Sequence, residues 1–263
     1  MRDNWITSDM AVIRRDFLPE DLQPILEQNG FSGCVVVQSE ESEAENAFQL
    51  QNADKYSFIK GVVGWVDFTA PDLEDQLTDL RQFKKLKGFR TILQGASPPN
   101  LMLQPAFLNG IGKLRQHNFT YDILIYPNQL KYIPKFVAAN PDQPFVLDHL
   151  AKPDIKNNAL ETWTREIKDL AKFEQVYLKI SGMVTEANWY NWQKIDFKPY
   201  LDVVVNAFGP NRIMFGSDWP VCTVAGSYSE VMNLVMNYIN KFSADEQQKI
   251  LGGNAIKFYN LNT

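Results

Sequence analysis

Asp218 and His149 are the two residues whose types and positions suit proton-transfer chemistry. Asp218 follows an apolar run, Arg212-Ile213-Met214-Phe215-Gly216, and is succeeded by Trp219 and Pro220, which break it. His149, one of two histidines in the chain, ends a second run, Phe145-Val146-Leu147-Asp148-His149, before Leu150-Ala151-Lys152-Pro153. A carboxylate and an imidazole at the C-terminal ends of parallel strands occupy the positions from which α/β barrels do their chemistry. We expect Asp218 to act as a general base; a plain helix or turn cap is its alternative reading. For His149 the alternative is a hydrogen-bonded strand-end histidine.

Four further residues are candidates. Side chains alternate between faces along a strand, so parity sorts them. Gln38 ends the first apolar run, and Trp65 shares a face with Asp67 in Gly64-Trp65-Val66-Asp67. Arg90 lies inside Gly88-Phe89-Arg90-Thr91-Ile92 and Lys179 inside Tyr177-Leu178-Lys179-Ile180-Ser181. If the polar faces point the same way, six strands deliver polar groups to one region, as an enzyme site requires. Cations in apolar strands are costly to bury alone, so Arg90 and Lys179 also read as structural ion pairs with Asp67, Asp122 or Asp148. Trp65 reads as core before it reads as a substrate platform, Asp148 as structural because it alternates with His149, and His117 as a helix-dipole partner.

The elements that must position these groups follow from the apolar runs. Strands are predicted over Cys34–Gln38, Gly61–Asp67, Gly88–Ile92, Tyr121–Tyr126, Phe145–His149, Val176–Ser181 and Arg212–Gly216. Their starts lie 24 to 36 residues apart, room for one helix and two loops per repeat, the rhythm of a parallel sheet. Between them Leu73, Leu77 and Leu80, then Phe107, Ile111 and Leu114, repeat at helical spacing. Ser243-Ala244-Asp245-Glu246 forms a capping box for the last helix. No Pro- or Ser-rich linker interrupts the chain, so residues 1–263 read as one domain. The count is seven strands, where a closed (β/α)₈ barrel needs eight; Ala11-Val12-Ile13 is too short to supply another.

Composition narrows the function. The chain is 45% hydrophobic and 22% charged, with a net charge of −5, which argues against a nucleic-acid or anionic-membrane surface. Cys34 and Cys222 form no C-x-x-C pair. The N-terminal residues carry no apolar leader and no run reaches about 18 apolar residues, so a cytoplasmic location with reduced thiols is expected. There is no G-x-G-x-x-G after a strand, no Walker A, no G-x-S-x-G and no H-E-x-x-H. Water is left as the nucleophile, with Asp218 as its base.

Taken together, Trp5-Ile6-Thr7-Ser8-Asp9-Met10, Arg15-Asp16-Phe17-Leu18-Pro19-Glu20-Asp21-Leu22, Gly61-Val62-Val63-Gly64-Trp65-Val66-Asp67, Leu147-Asp148-His149-Leu150-Ala151-Lys152-Pro153, Lys179-Ile180-Ser181-Gly182 and Phe215-Gly216-Ser217-Asp218-Trp219-Pro220 resemble the sugar-lactonase branch of the amidohydrolase superfamily. That branch includes L-fuconolactone and L-rhamnonolactone hydrolases and is related to 2-pyrone-4,6-dicarboxylate lactonase. The resemblance spans nearly the whole chain and implies a distorted (β/α)₈ TIM-type barrel that hydrolyses a sugar lactone. It implies that Asp218 activates water and that His149 binds or polarises the lactone carbonyl. Arg90 and Trp65, with Gln38 and Lys179, become the substrate-binding candidates.

One part of the family pattern is missing. The family opens with a strand carrying His-x-His, and no such motif occurs in this sequence. We therefore expect the barrel to lack its first strand, with unpaired edges between the first and last visible strands. His149 and Asp218 would be the metal ligands if one divalent ion, zinc, binds; two ligands are too few for tight zinc binding, and a metal-free enzyme is the other expectation. The expected partner is a small-molecule sugar lactone, with a homodimer left open. Two alternatives accompany the lactonase reading: decarboxylation of a small carboxylic acid, and a non-catalytic barrel that binds a sugar acid.

Overall fold

The computed structural model describes residues 5–262. Residues 1–4, part of the stretch read for a leader, lie outside the described residues.

Seven parallel strands form one sheet in sequence order: β1 (Cys34–Val37), β2 (Ile59–Gly64), β3 (Leu86–Ile92), β4 (Thr120–Leu124), β5 (Phe145–Leu147), β6 (Val176–Ile180) and β7 (Ile213–Phe215). All seven predicted strands are present, and the segment before Cys34 holds a 3₁₀ turn (Ser8–Ile13) and helix α1 (Pro19–Gln28) instead of a strand. Helices fill the crossovers: α2 (Glu43–Lys55), α3 (Leu73–Leu80), α4 (Pro105–Leu114), α5 (Ile133–Ala138), α6 (Glu161–Leu170), α7 (Lys194–Phe208) and α8 (Tyr228–Ile239). Then follow α9 (Ala244–Gln248), a short π-helical turn and α10 (Asn254–Phe258). The Ser243 hydroxyl accepts from the Glu246 amide while the Glu246 carboxylate accepts from the Ser243 amide, the predicted capping box.

The two sheet faces do different work. Phe89, Tyr121, Phe145 and Leu178 are completely buried against Ile111, Phe136, Ile167 and Val204 of the helices. Val63, Val146 and Met214 of β2, β5 and β7 face the other way, into a second cluster with Phe258 and Tyr259. The C-terminal segment reaches several strands at once. Phe258 packs at a tilt against Tyr177 of β6, ring centroids 5.0 Å apart, Tyr259 donates to Asp122 of β4, and Lys87 of β3 donates to the Asn260 carbonyl. Leu261 packs beside Gly61 of β2, where an added Cβ would fall 3.0 Å from its methyl. Adjacent strands are about 4.8 Å apart, so one short segment touches β2 and β6 together only if the sheet curls around it. Among the described residues β1 and β7 are its two ends, with no pairing between them.

Three predicted strands end two or three residues early. β2 stops at Gly64 instead of Asp67, β4 at Leu124 instead of Tyr126, and β5 at Leu147 instead of His149.

Candidate active site

The most unusual backbone follows β5. His149, Leu150, Ala151 and Lys152 all hold positive φ angles, between 51° and 59°. L-residues visit this region singly, at roughly 1–2 kcal/mol each, so four in succession demand compensation from the surroundings. Leu150 and Ala151 are fully buried. The Trp163 indole donates to the Leu150 carbonyl at 2.8 Å, and the Lys152 amide closes the turn onto the His149 carbonyl at 2.7 Å. The turn overrides strand alternation: Asp148 stays inside, and His149 is carried to the rim.

The imidazole is held from below. Its Nδ1 lies 2.8 Å from the Ser181 hydroxyl, just after β6. Gly182 (φ +62°) passes so close that an added Cβ would sit 2.9 Å from His149 Cβ, Cγ and Nδ1. Gly216, after β7, is similarly tight, because a Cβ there would fall 2.9 Å from Ser181 Cβ. Burial lowers the His149 pKa below the ordinary imidazole value, although Asp218 and Asp148 pull the other way. Nε2 faces Asp218 Oδ1 at 3.7 Å. Asp218 itself has φ +56°, and its carbonyl accepts from the Cys222 amide at 2.9 Å. Trp219, next in sequence, packs edge-on against Phe17 at 5.2 Å.

Beneath this pair runs a buried charge network. Arg90 donates to Asp148 Oδ2 at 2.9 Å and to the Gln38 carbonyl. Lys179 binds Asp148 Oδ1 at 2.8 Å and also bonds Asp122, whose Oδ2 accepts from the Tyr259 hydroxyl at 2.8 Å. Two carboxylates thus share two cations. Burial would raise the Asp148 carboxyl, but Lys179 and Arg90 outweigh it and hold that carboxyl far below the usual range. Asp122 has one cation, and burial pushes its carboxyl up to about 6. Burial also works against the Lys179 ammonium, yet Asp122 and Asp148 raise its pKa well above 10.5.

Of the predicted site residues, Gln38, Arg90, Lys179, His149 and Asp218 come together through these contacts. Gln38 is fully buried, and its amide donates to the Arg90 carbonyl at 2.9 Å. Trp65 lies past the end of β2, half-buried, with its backbone clasped by the Asn46 side chain at 2.6 and 2.8 Å. Asp67 joins neither cation; it caps Thr69. His117 pairs with Glu74 at 2.8 Å, away from this cluster.

Sequence reasoning did not single out Asn46, Ser181, Tyr259, Lys152 or Glu186. All five act through tertiary neighbours, Asn46 through the Trp65 backbone. No group of three or more His, Cys, Asp or Glu side chains able to hold a metal occurs among the described residues.

Residues 7–261 match the amidohydrolase family Amidohydro_2. The chain is 36% identical to an L-fucono-1,5-lactonase of Burkholderia multivorans, over 98% of this chain and 90% of that one. A crystal structure of an amidohydrolase from Burkholderia multivorans with bound zinc, 36% identical, superposes with a TM-score of 0.95 over 98% of this chain and 93% of that chain. A putative 2-pyrone-4,6-dicarboxylic acid hydrolase from Pseudomonas putida, at 20% identity, shares the fold with a TM-score of 0.75 over 95% and 92%. Matched along nearly its whole length, the chain belongs to the amidohydrolase family.

Proposed function

We propose that this chain is a single-domain hydrolase that opens a sugar lactone, with L-fucono-1,5-lactone as the first substrate to try. The observation that carries the reading is the His149–Asp218 pair. Their facing atoms are 3.7 Å apart, too far to hydrogen-bond each other and close enough for one oxygen to lie about 2.8 Å from both. The name of the Burkholderia relative supports the substrate class.

In this reading the Ser181 hydroxyl donates to His149 Nδ1, which leaves the proton on Nε2 and the ring neutral. Asp218 accepts a proton from water as its oxygen attacks the lactone carbonyl carbon. The carbonyl electron pair moves to oxygen, and Nε2–H donates to that oxyanion. When the carbonyl re-forms, the ring C–O bond breaks. The departing oxygen takes the proton back from Asp218, and a hydroxy acid leaves. Arg90 and Lys179, held by Asp148 and Asp122, form the floor beneath the carbonyl, while Gln38 and Trp65 border the bound ring.

The amidohydrolase relative with bound zinc raises the question of a metal. His149 and Asp218 are two donors, whereas a catalytic zinc takes three protein ligands. The described residues therefore do not form a complete zinc site, and the steps above run through the chain's own groups.

The test is acid release from a panel of aldonolactones, run with and without added zinc, alongside CO₂ release from small carboxylic acids. Acid release from hydroxylated lactones is expected. CO₂ release without lactone opening would replace the reading with decarboxylation, and thermal stabilisation by aldonates without turnover would replace it with sugar-acid binding.

A further inference from the structure

A second polar pair stands beside His149 and Asp218. Lys152 is the last residue of the left-handed turn that carries His149, and Glu186 ends the 3₁₀ turn Val184–Glu186 after β6. Their charged ends are 3.8 Å apart, with side chains only 21% and 24% exposed. Lys152 lies three residues after His149 on the same turn, and the 3₁₀ turn that carries Glu186 packs against the 3₁₀ turn Val221–Val224 that follows Asp218, so the pair lies beside both. At 3.8 Å the pair is beyond hydrogen-bond length. Among the described residues neither head makes another hydrogen bond or ion pair, and the exposed Tyr126 ring lies 5.8 Å from the Lys152 nitrogen.

Such a pair is unusual as a structural device. Both stems are mostly sheltered, yet three N–H donors and a carboxylate's lone pairs are left uncommitted. Positioning Lys152 also uses a turn whose backbone is strained at four residues, and strain of this kind concentrates at functional sites. The chemistry offered is a donor and an acceptor side by side with no net charge. That suits a neutral hydroxyl, which both gives and receives a hydrogen bond, better than it suits an anion. The ring face of Tyr126 adds an apolar wall.

Resting on the lactonase reading, we propose that Lys152 and Glu186 form a hydroxyl-binding subsite beside the reacting carbonyl, selecting lactones that carry ring hydroxyls over unsubstituted ones. They are specificity-determining residues and take no part in the proton transfers.

The test compares kcat/KM for L-fucono-1,5-lactone and for δ-valerolactone, which has the same ring without hydroxyls. The wild type, K152M, E186Q and the double variant K152M/E186Q are assayed. Each single variant is expected to lose roughly 10- to 100-fold on the hydroxylated lactone, the scale for a hydrogen bond to a charged group, with δ-valerolactone opening within about 3-fold of wild type. Equal losses on both lactones, or none on either, overturn the proposal. If a single variant misfolds because its partner charge is stranded, the double variant, which strands none, decides between the same outcomes. If the wild type opens neither lactone, the lactonase reading fails on its own. Calorimetric binding of L-fuconate against 5-hydroxyvalerate then tests the subsite: hydroxyl-dependent binding lost in the double variant supports it, and equal binding by both proteins overturns it.

Discussion

His149 Nε2 stands 3.7 Å from Asp218 Oδ1, and both residues hold left-handed backbone conformations. Each lies just beyond the end of its strand, where the chain has turned out of extended geometry. The turn aims the side chain; strand parity does not. If Asp218 accepts the proton from water, Asp218→Asn keeps shape and hydrogen bonding and removes the base. It is expected to lower kcat at least about 100-fold with little change in melting temperature. Near-normal lactone opening by the variant would take Asp218 out of the role.

Gly182 sets the imidazole's position. Its φ is +62°, and an added Cβ would lie 2.9 Å from three His149 atoms. Gly182→Ala must therefore displace the ring, the backbone, or both. A 1 Å misplacement of a reacting group costs on the order of 100-fold, so kcat is expected to fall at least about 10-fold, with KM changing less. A variant with unaltered kcat would show that the ring position is not critical.

Lys179 is the shared counter-ion of Asp122 and Asp148, with only 11% of its side chain exposed. Lys179→Met leaves Asp122 without a cation and Asp148 with Arg90 alone. Stranding a buried charge typically costs about 3–5 kcal/mol. Urea unfolding should show a loss on that scale. A loss below about 1 kcal/mol would mean that water already solvates the network.

The reach of the sequence differs between sheet and site. Buried parallel strands are apolar on both faces, so runs such as Cys34–Val37 and Val176–Ile180 announce themselves and all seven strands were legible. Their C-terminal ends were not, because nothing in Asp148-His149-Leu150-Ala151-Lys152 marks four left-handed residues in a row without a glycine. That turn exists because Trp163 and the packing of Leu150 and Ala151 hold it, all tertiary facts. Arg90 and Lys179 were legible as cations needing partners, and two of the three candidate partners, Asp122 and Asp148, are in place. Tyr259 was not, since only the curl of the sheet brings the C-terminal helix to Asp122. Ser181 and Gly182 lay inside a motif, but their contact with His149 depends on the β5–β6 register.

The charge network also fixes a pH dependence. Burial and the neighbouring Asp148 push the Asp122 carboxyl up to about 6, against the ordinary 3.8, while Lys179 pulls it down. Between those values the folded state holds a proton on Asp122 that the unfolded chain has released. Folded stability from this group is therefore full below about pH 4 and is lost as pH rises through 6. Other carboxylates, held low by their partners, slope the opposite way, so the wild-type curve alone does not isolate Asp122. Asp122→Asn keeps the neutral form at every pH and cancels the common background. The melting temperature of the variant minus that of wild type is expected to increase from pH 4 to pH 7. A difference that decreases over that range would mean that the Lys179 ammonium outweighs burial and keeps Asp122 ionised throughout.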